Sequence, residues 1–312
     1  MIPIESIEEA CFRISGYVFH TPVTFDQQLG LFYKWENRQK TGSFKLRGAL
    51  NKVLSLSREQ LQQGLVTCSA GNHGQGVAYA ARQVGASCVV YVPIHATTVK
   101  VEAMRALGAD VRYVNGGYET AERFAIEQAA ALNKIFISPY NDLTVMAGQG
   151  TIAAECEAEI QSFSTIQAIL VPVGGGGLIC GMASFLKHRN YNLKIIGVQS
   201  EASPYACQLI RTGSQIGVVE KESIADGLAG AIAADSLTIP LMFESVDEVI
   251  LVSEEEIRQA IRYAWNEQKE RIEGSAAVGL AAQLAGKIHL SPALTVITGG
   301  NIQPELFNEI LR

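Results

Sequence analysis

Residues 171–181 read VPVGGGGLICG. The apolar run Ala168–Val173 stops at four consecutive glycines, and a helical pattern opens at Leu178. A strand apolar on both faces belongs in a parallel sheet covered by helices on both sides. Glycine lets backbone N–H groups approach an oxyanion closely, and the start of the next helix adds the positive end of a dipole. Gly174–Gly177 therefore read as a phosphate cradle, with a tight packing turn as the plainer alternative. The run is not a dinucleotide fingerprint, because Ile179 or Cys180 occupies the place of the third glycine, and no GK[ST] follows to make a P-loop. The phosphate belongs to some other cofactor or substrate.

The same strand–turn–helix alternation runs along most of the chain. Strands are expected at Leu65–Cys68, Ser87–Val92, Ala109–Val114, Ile135–Ser138, Lys194–Gln199, Glu248–Val252 and Leu294–Thr298. Helices are expected at His73–Val84, Thr98–Leu107, Tyr118–Leu132, Met146–Glu159 and Ile257–Gln268, the last opened by a capping box of Ser253 and Glu256. The fold class is α/β with parallel sheets. No Pro/Gly/Ser-rich linker divides the 312 residues, so an inserted lobe of residues 51–141 in a larger unit of 1–50 plus 142–312 is expected.

Composition narrows the function. A net charge of −6 and no lysine/arginine cluster argue against nucleic acid or an anionic membrane as partner. The N-terminus MIPIESIEEACFRI is acidic and amphipathic, unlike a signal peptide, and the apolar runs are too short to span a bilayer. The six cysteines lack CxxC spacing, which suits free thiols in a reducing cytoplasm.

Two further glycine-rich turns follow strands. In CSAGNHGQGVAYAA, residues 68–81, free N–H groups at a helix start suit a carboxylate, and Asn72 suits a ring hydroxyl; a helix cap by Ser69 or Asn72 explains the same residues equally well. In VITGGNIQ, residues 296–303, Thr298 ends a strand whose carboxyl end faces a ligand crevice, or is an ordinary strand–turn junction. The fourth stretch is KTGSFKLRGAL, residues 40–50, where Lys45 follows a Gly-Ser-Phe turn; alone, it reads as a surface charge. A phosphate cradle, a carboxylate turn and a lysine among small residues together fit pyridoxal phosphate bound to a lysine.

KTGSFKLRGA, SAGNHGQGVAYAA, VPVGGGGL and VITGGN, in this order, resemble the fold type II (tryptophan-synthase-β) pyridoxal-phosphate enzymes, in the threonine/serine dehydratase and serine racemase branch. The resemblance covers nearly the whole chain. It implies two open, mostly parallel twisted sheets with helices on both faces, the cofactor in a cleft between a large and a small domain, and a homodimer. By resemblance, Lys45 is the Schiff-base lysine with Phe44 beside the ring; Gly174, Gly175, Gly176, Gly177 and Leu178 are the phosphate loop; Asn72 meets the ring hydroxyl. Ser69, Ala70, Gly71, Asn72 and His73 form the substrate-carboxylate turn, Thr298 stands against the pyridine nitrogen, and Glu273 lies near the ring, although Gly274 replaces a frequent proline. A neutral hydroxyl at 298 weakens the electron sink and favours elimination.

Two departures refine the expectation. The racemases carry a second serine where this chain has Ala70, so dehydration of L-threonine or L-serine is expected over racemisation. Gln199 and Tyr205 stand where relatives place the carboxylates of a divalent-cation site, which leaves Glu201 alone, so no such metal is expected. The alternatives are a racemase, a lyase for another β-hydroxy amino acid such as 3-hydroxyaspartate or phenylserine, or a non-catalytic amino-acid-binding protein; an intact Lys45 counts against the last. Only PELFNEILR follows the last motif, so no C-terminal regulatory domain is expected, which suits amino-acid catabolism.

Overall fold

The computed structural model describes residues 1–312. Its ten strands are β1 Val23–Asp26, β2 Leu31–Trp35, β3 Leu65–Cys68, β4 Cys88–Pro93, β5 Asp110–Val114, β6 Ile135–Phe136, β7 Ala168–Pro172, β8 Lys194–Ser200, β9 Glu248–Val252 and β10 Ala293–Ile297. They form a six-stranded sheet, β1-β2-β10-β7-β8-β9, and a four-stranded sheet, β5-β4-β3-β6. Every pairing is parallel except β1 with β2. The central strands β3, β7 and β10 are buried at every position, as the unbroken apolar runs require.

Both sheets reverse their strand order once. In the larger, the chain runs outward from β7 to β8 and β9, then returns to place β10 on the other side of β7. In the smaller, it runs from β3 to β4 and β5, then returns to place β6 on the other side of β3. A crevice opens at the carboxyl ends of strands at such a reversal. The three glycine-rich turns follow β3, β7 and β10, so all lie at these two openings.

Helix Lys45–Leu54 joins the layers. It buries Leu46, Ala49, Leu50 and Val53 in the core over the smaller sheet, together with Leu65, Val77, Val90 and Val145. Complete burial of such a side chain contributes about 1.5–3 kcal/mol. On the other side this helix crosses helix Leu143–Glu159 at Gly48 and Gly148, so closely that a Cβ on Gly148 would lie 2.7 Å from the Gly48 Cα. Arg47, fully buried, donates to Glu36 at 2.7 and 2.8 Å and to Glu155 at 2.7 Å through two nitrogens. Lys34, also fully buried, completes the network on Glu155 at 2.7 Å and Glu159 at 3.3 Å.

No helix is long and apolar enough to cross a membrane. All six cysteines are free, five of them buried. Burial pushes the thiols of Cys68, Cys88, Cys156 and Cys180 up to about 12.

Candidate active site

Lys45 is the first residue of its helix and half-buried, with its Nζ donating to the Pro139 carbonyl at 2.9 Å and lying 5.2 Å from the centre of the Phe44 ring. Burial lowers the amine to about 8, with the Glu122 carboxylate pulling the other way. About a tenth of the amine is therefore neutral and nucleophilic at pH 7, against well under about one part in a thousand for a surface lysine.

Backbone hydrogen bonds tie the Lys45 segment to the third turn. Phe44 N–H donates to Thr298 O at 3.0 Å, Gly300 N–H donates to Gly42 O at 2.9 Å, and Ser43 pairs with Gly299 in an isolated bridge. Asn301 reaches across, its Nδ2 donating to Thr41 O at 3.0 Å and to Asn72 Oδ1 at 2.7 Å. Asn72 Nδ2 donates in turn to Glu273 Oε1 at 2.6 Å. The Asn72 amide is thus held by both ends, one N–H left over. Asn301 belonged to a recognised motif without an assigned role; the structure makes it the residue that orients Asn72.

At the second turn neither Ser69 nor Asn72 caps the helix that follows. Helix Asn72–Val84 has Gly71 at its N-cap and no side-chain cap. Ser69 Oγ instead accepts from Gly71 N–H at 3.1 Å, shaping the turn. His73 is buried and directs Nε2 at Ile137 O, 3.1 Å away; burial and the Lys45 charge lower it to about 3, so it is a neutral structural donor. Ala70 offers no proton. Glu273 is buried, and loss of solvent with the Asp226 charge raises it to about 7, while Lys100 pulls it down.

The glycine turn after β7 opens helix Gly177–His188, with Gly176 at φ 87°, a conformation that favours glycine. No acceptor in the chain takes the N–H of Gly174, Gly175 or Gly176. Leu178 is buried behind them. Tyr140, unmarked in the sequence reading, lies over the turn so closely that a Cβ on Gly175 would lie 2.4 Å from its ring, and Thr238 Oγ1 donates to Gly175 O at 2.7 Å. Glu122 was also missed. Its charge acts on Lys45, burial raises its own carboxyl, and the Tyr118 hydroxyl donates to it at 3.2 Å. Neither residue lies in a glycine-rich turn, so no local signal marked it.

Of the metal positions weighed in the sequence, Gln199 is buried, and its Oε1 accepts from Ala206 N–H at 3.1 Å and Cys207 N–H at 3.2 Å, holding the next helix start. The nearest approach to a ligand cluster, His20 with Glu155 and Glu159, is already served by Lys34 and Arg47.

Residues 14–299 match the family described as pyridoxal-phosphate dependent enzyme. The chain belongs to that family. Among its relatives, the L-threonine ammonia-lyase of Thermotoga maritima is 38% identical over all of this chain and 78% of the relative. The serine racemase of Dictyostelium discoideum is 36% identical over 99% of this chain and 98% of the relative. Of solved structures, maize serine racemase superposes with a TM-score of 0.91 at 32% identity, covering 98% of this chain and 95% of that one. The two-sheet architecture is that of the fold type II pyridoxal-phosphate enzymes, and pyridoxal phosphate is the family's cofactor. The residues fit it: unpaired N–H groups at a helix start for the phosphate, a lysine amine lowered to about 8 for the aldehyde, and a buried Ser43 hydroxyl without a partner beside that lysine.

Proposed function

We propose that this enzyme is a lyase that converts L-threonine or L-serine to 2-oxobutanoate or pyruvate with release of ammonia. The single observation that carries the reading is the lowered, half-buried Lys45 amine, held on the Pro139 carbonyl next to the Tyr140 that covers the glycine turn, in a chain whose residue 70 is alanine. Similarity to L-threonine ammonia-lyases from two bacteria supports it. When bound, pyridoxal phosphate supplies the electron sink for the substrate's α-carbon. Gly174 to Leu178 would hold its phosphate through backbone N–H groups, Lys45 would bind its aldehyde beside Phe44, and Asn72 and Thr298 would serve its ring hydroxyl and ring nitrogen. Glu273 fixes Asn72. The turn from Ser69 to His73 holds the substrate carboxylate. Lys45 would take the α-proton and pass it to the departing β-hydroxyl, so that water leaves as the β C–O bond breaks; hydrolysis of the enamine product would give the oxo-acid and ammonia.

Serine racemase is the second reading, favoured by the 36% identity to the Dictyostelium enzyme. It needs a proton donor on the ring face opposite Lys45, and Ala70 has none. The same proposal includes a cytoplasmic homodimer and a small lobe of residues 51–141 inserted in the larger unit, with helix Lys45–Leu54 packed on that lobe. The test is oxo-acid release from L-threonine, L-serine, D-serine, threo-3-hydroxyaspartate and phenylserine. Release from L-threonine or L-serine, abolished with the yellow color in Lys45→Ala, is expected. A yellow enzyme that releases nothing from the panel overturns the lyase reading.

A further inference from the structure

Lys100 belongs to helix Thr98–Ala106, which follows β4 of the smaller sheet. Its stem lies across the carboxylate turn: a Cβ built on Gly71 would lie 3.4 Å from Lys100 Cδ and 3.7 Å from its Nζ. The ammonium meets Asp226 Oδ2 at 2.8 Å. Asp226 comes from the segment Asp226–Leu228, which packs on the opposite wall, where Gly227 N–H donates to Ser275 Oγ at 2.9 Å. Lys100 is 17% exposed and Asp226 60% exposed.

An ion pair with so exposed a partner contributes little and opens readily, because water replaces the lost contact. The charge around Gly71 gives Lys100 a larger task. The turn itself is neutral: Ser69, Ala70, Gly71, Asn72 and an uncharged His73. Two carboxylates, Asp226 and the buried Glu273, bear on the same space. A substrate carboxylate entering there meets the Asp226 charge, joined above about pH 7 by that of Glu273, and Lys45 is occupied with proton transfer at the α-carbon. Lys100 is the cation that lies against the turn.

We propose that Lys100 is a specificity-determining residue for the substrate's α-carboxylate, turning from Asp226 to the incoming anion while its stem stays on Gly71. Asp226 then serves as the partner that parks the ammonium when the cleft is empty. The assignment rests on the amino-acid substrate of the proposed function, not on which bond is cleaved.

The test titrates L-alanine, an amino acid with no β leaving group, into the cofactor-loaded enzyme by calorimetry, alongside kcat and KM for L-serine and L-threonine. Lys100→Met is expected to weaken L-alanine binding about 10- to 100-fold, the worth of one hydrogen bond to a charged group. KM rises similarly and kcat stays within about threefold, while Lys100→Arg binds within about threefold of wild type. Asp226→Asn separates this role from a mere tie between walls: it leaves L-alanine binding as tight or tighter. Unchanged L-alanine affinity in Lys100→Met overturns the proposal, and so does equal weakening in Asp226→Asn. Weakened binding in an enzyme that releases no oxo-acid leaves Lys100 assigned and removes the lyase reading alone.

Discussion

Arg47→Met removes a fully buried charge two residues from Lys45. The guanidinium has five N–H groups, and the structure gives it five bonds: two to Glu36, two to Glu155 and one to Thr151 at 3.3 Å. Methionine fills similar space without a donor. Glu155 keeps Lys34, but Glu36, fully buried, retains only the Thr21 hydroxyl. Breaking one side of a buried pair costs about 3–5 kcal/mol, chiefly because the other charge is stranded. For a chain of this size that corresponds to a fall in thermal midpoint of roughly 5–8 °C. Calorimetry at one fixed scan rate, with the cofactor's visible absorbance followed in parallel, reads both the fold and the seating of Lys45. Arg47→Met/Glu36→Gln is expected to recover part of the loss, since the stranded charge is gone. A fall below about 2 °C, or no recovery in the double variant, refutes the reasoning.

Glu273 titrates at about 7 in the folded chain against an ordinary 4.5, so the folded state holds its proton more tightly. Its contribution to stability is complete below pH 4.5 and is lost as pH rises toward 7, about 3 kcal/mol in all. Thermal midpoints from pH 5 to 8 should therefore fall more steeply for wild type than for Glu273→Gln; parallel curves contradict the assignment. Ala70→Ser places a hydroxyl in the carboxylate turn and is expected to yield measurable D-serine from L-serine by chiral chromatography, with oxo-acid release retained. Absence of D-serine in a variant that still releases pyruvate denies residue 70 its role in the outcome.

The parts legible in the sequence are those where backbone and burial act locally. β3 and β9 lie where their apolar runs end, and the Ser253–Glu256 capping box opens helix Glu254–Gln268 as spelled. Lys45 and the glycine turns stood out in the sequence only as a set, through the resemblance their four motifs carry in order. The antiparallel pair β1 and β2 was not read, because Lys34 interrupts LFYKW and reads as a solvated position. It is fully buried instead, and Glu155 and Glu159, more than a hundred residues away, make that burial tolerable. Tyr140, Glu122 and Lys100 escaped for the same reason: each acquires its role from the far wall of the cleft, which no window of sequence contains.

The shielded cysteines give the enzyme a built-in gauge. A thiol held at about 12 presents roughly one thiolate in 10⁵ at pH 7, against a few per cent for a free cysteine. Cys156 and Cys180, sealed in the same core, are therefore silent toward alkylating agents while the chain is closed and ordinary once it opens. Their rate of labelling counts openings of the molecule directly, with no added dye or tag, and sorts them by place, because Cys68 and Cys88 belong to the smaller sheet and Cys156 and Cys180 to the core over the larger one.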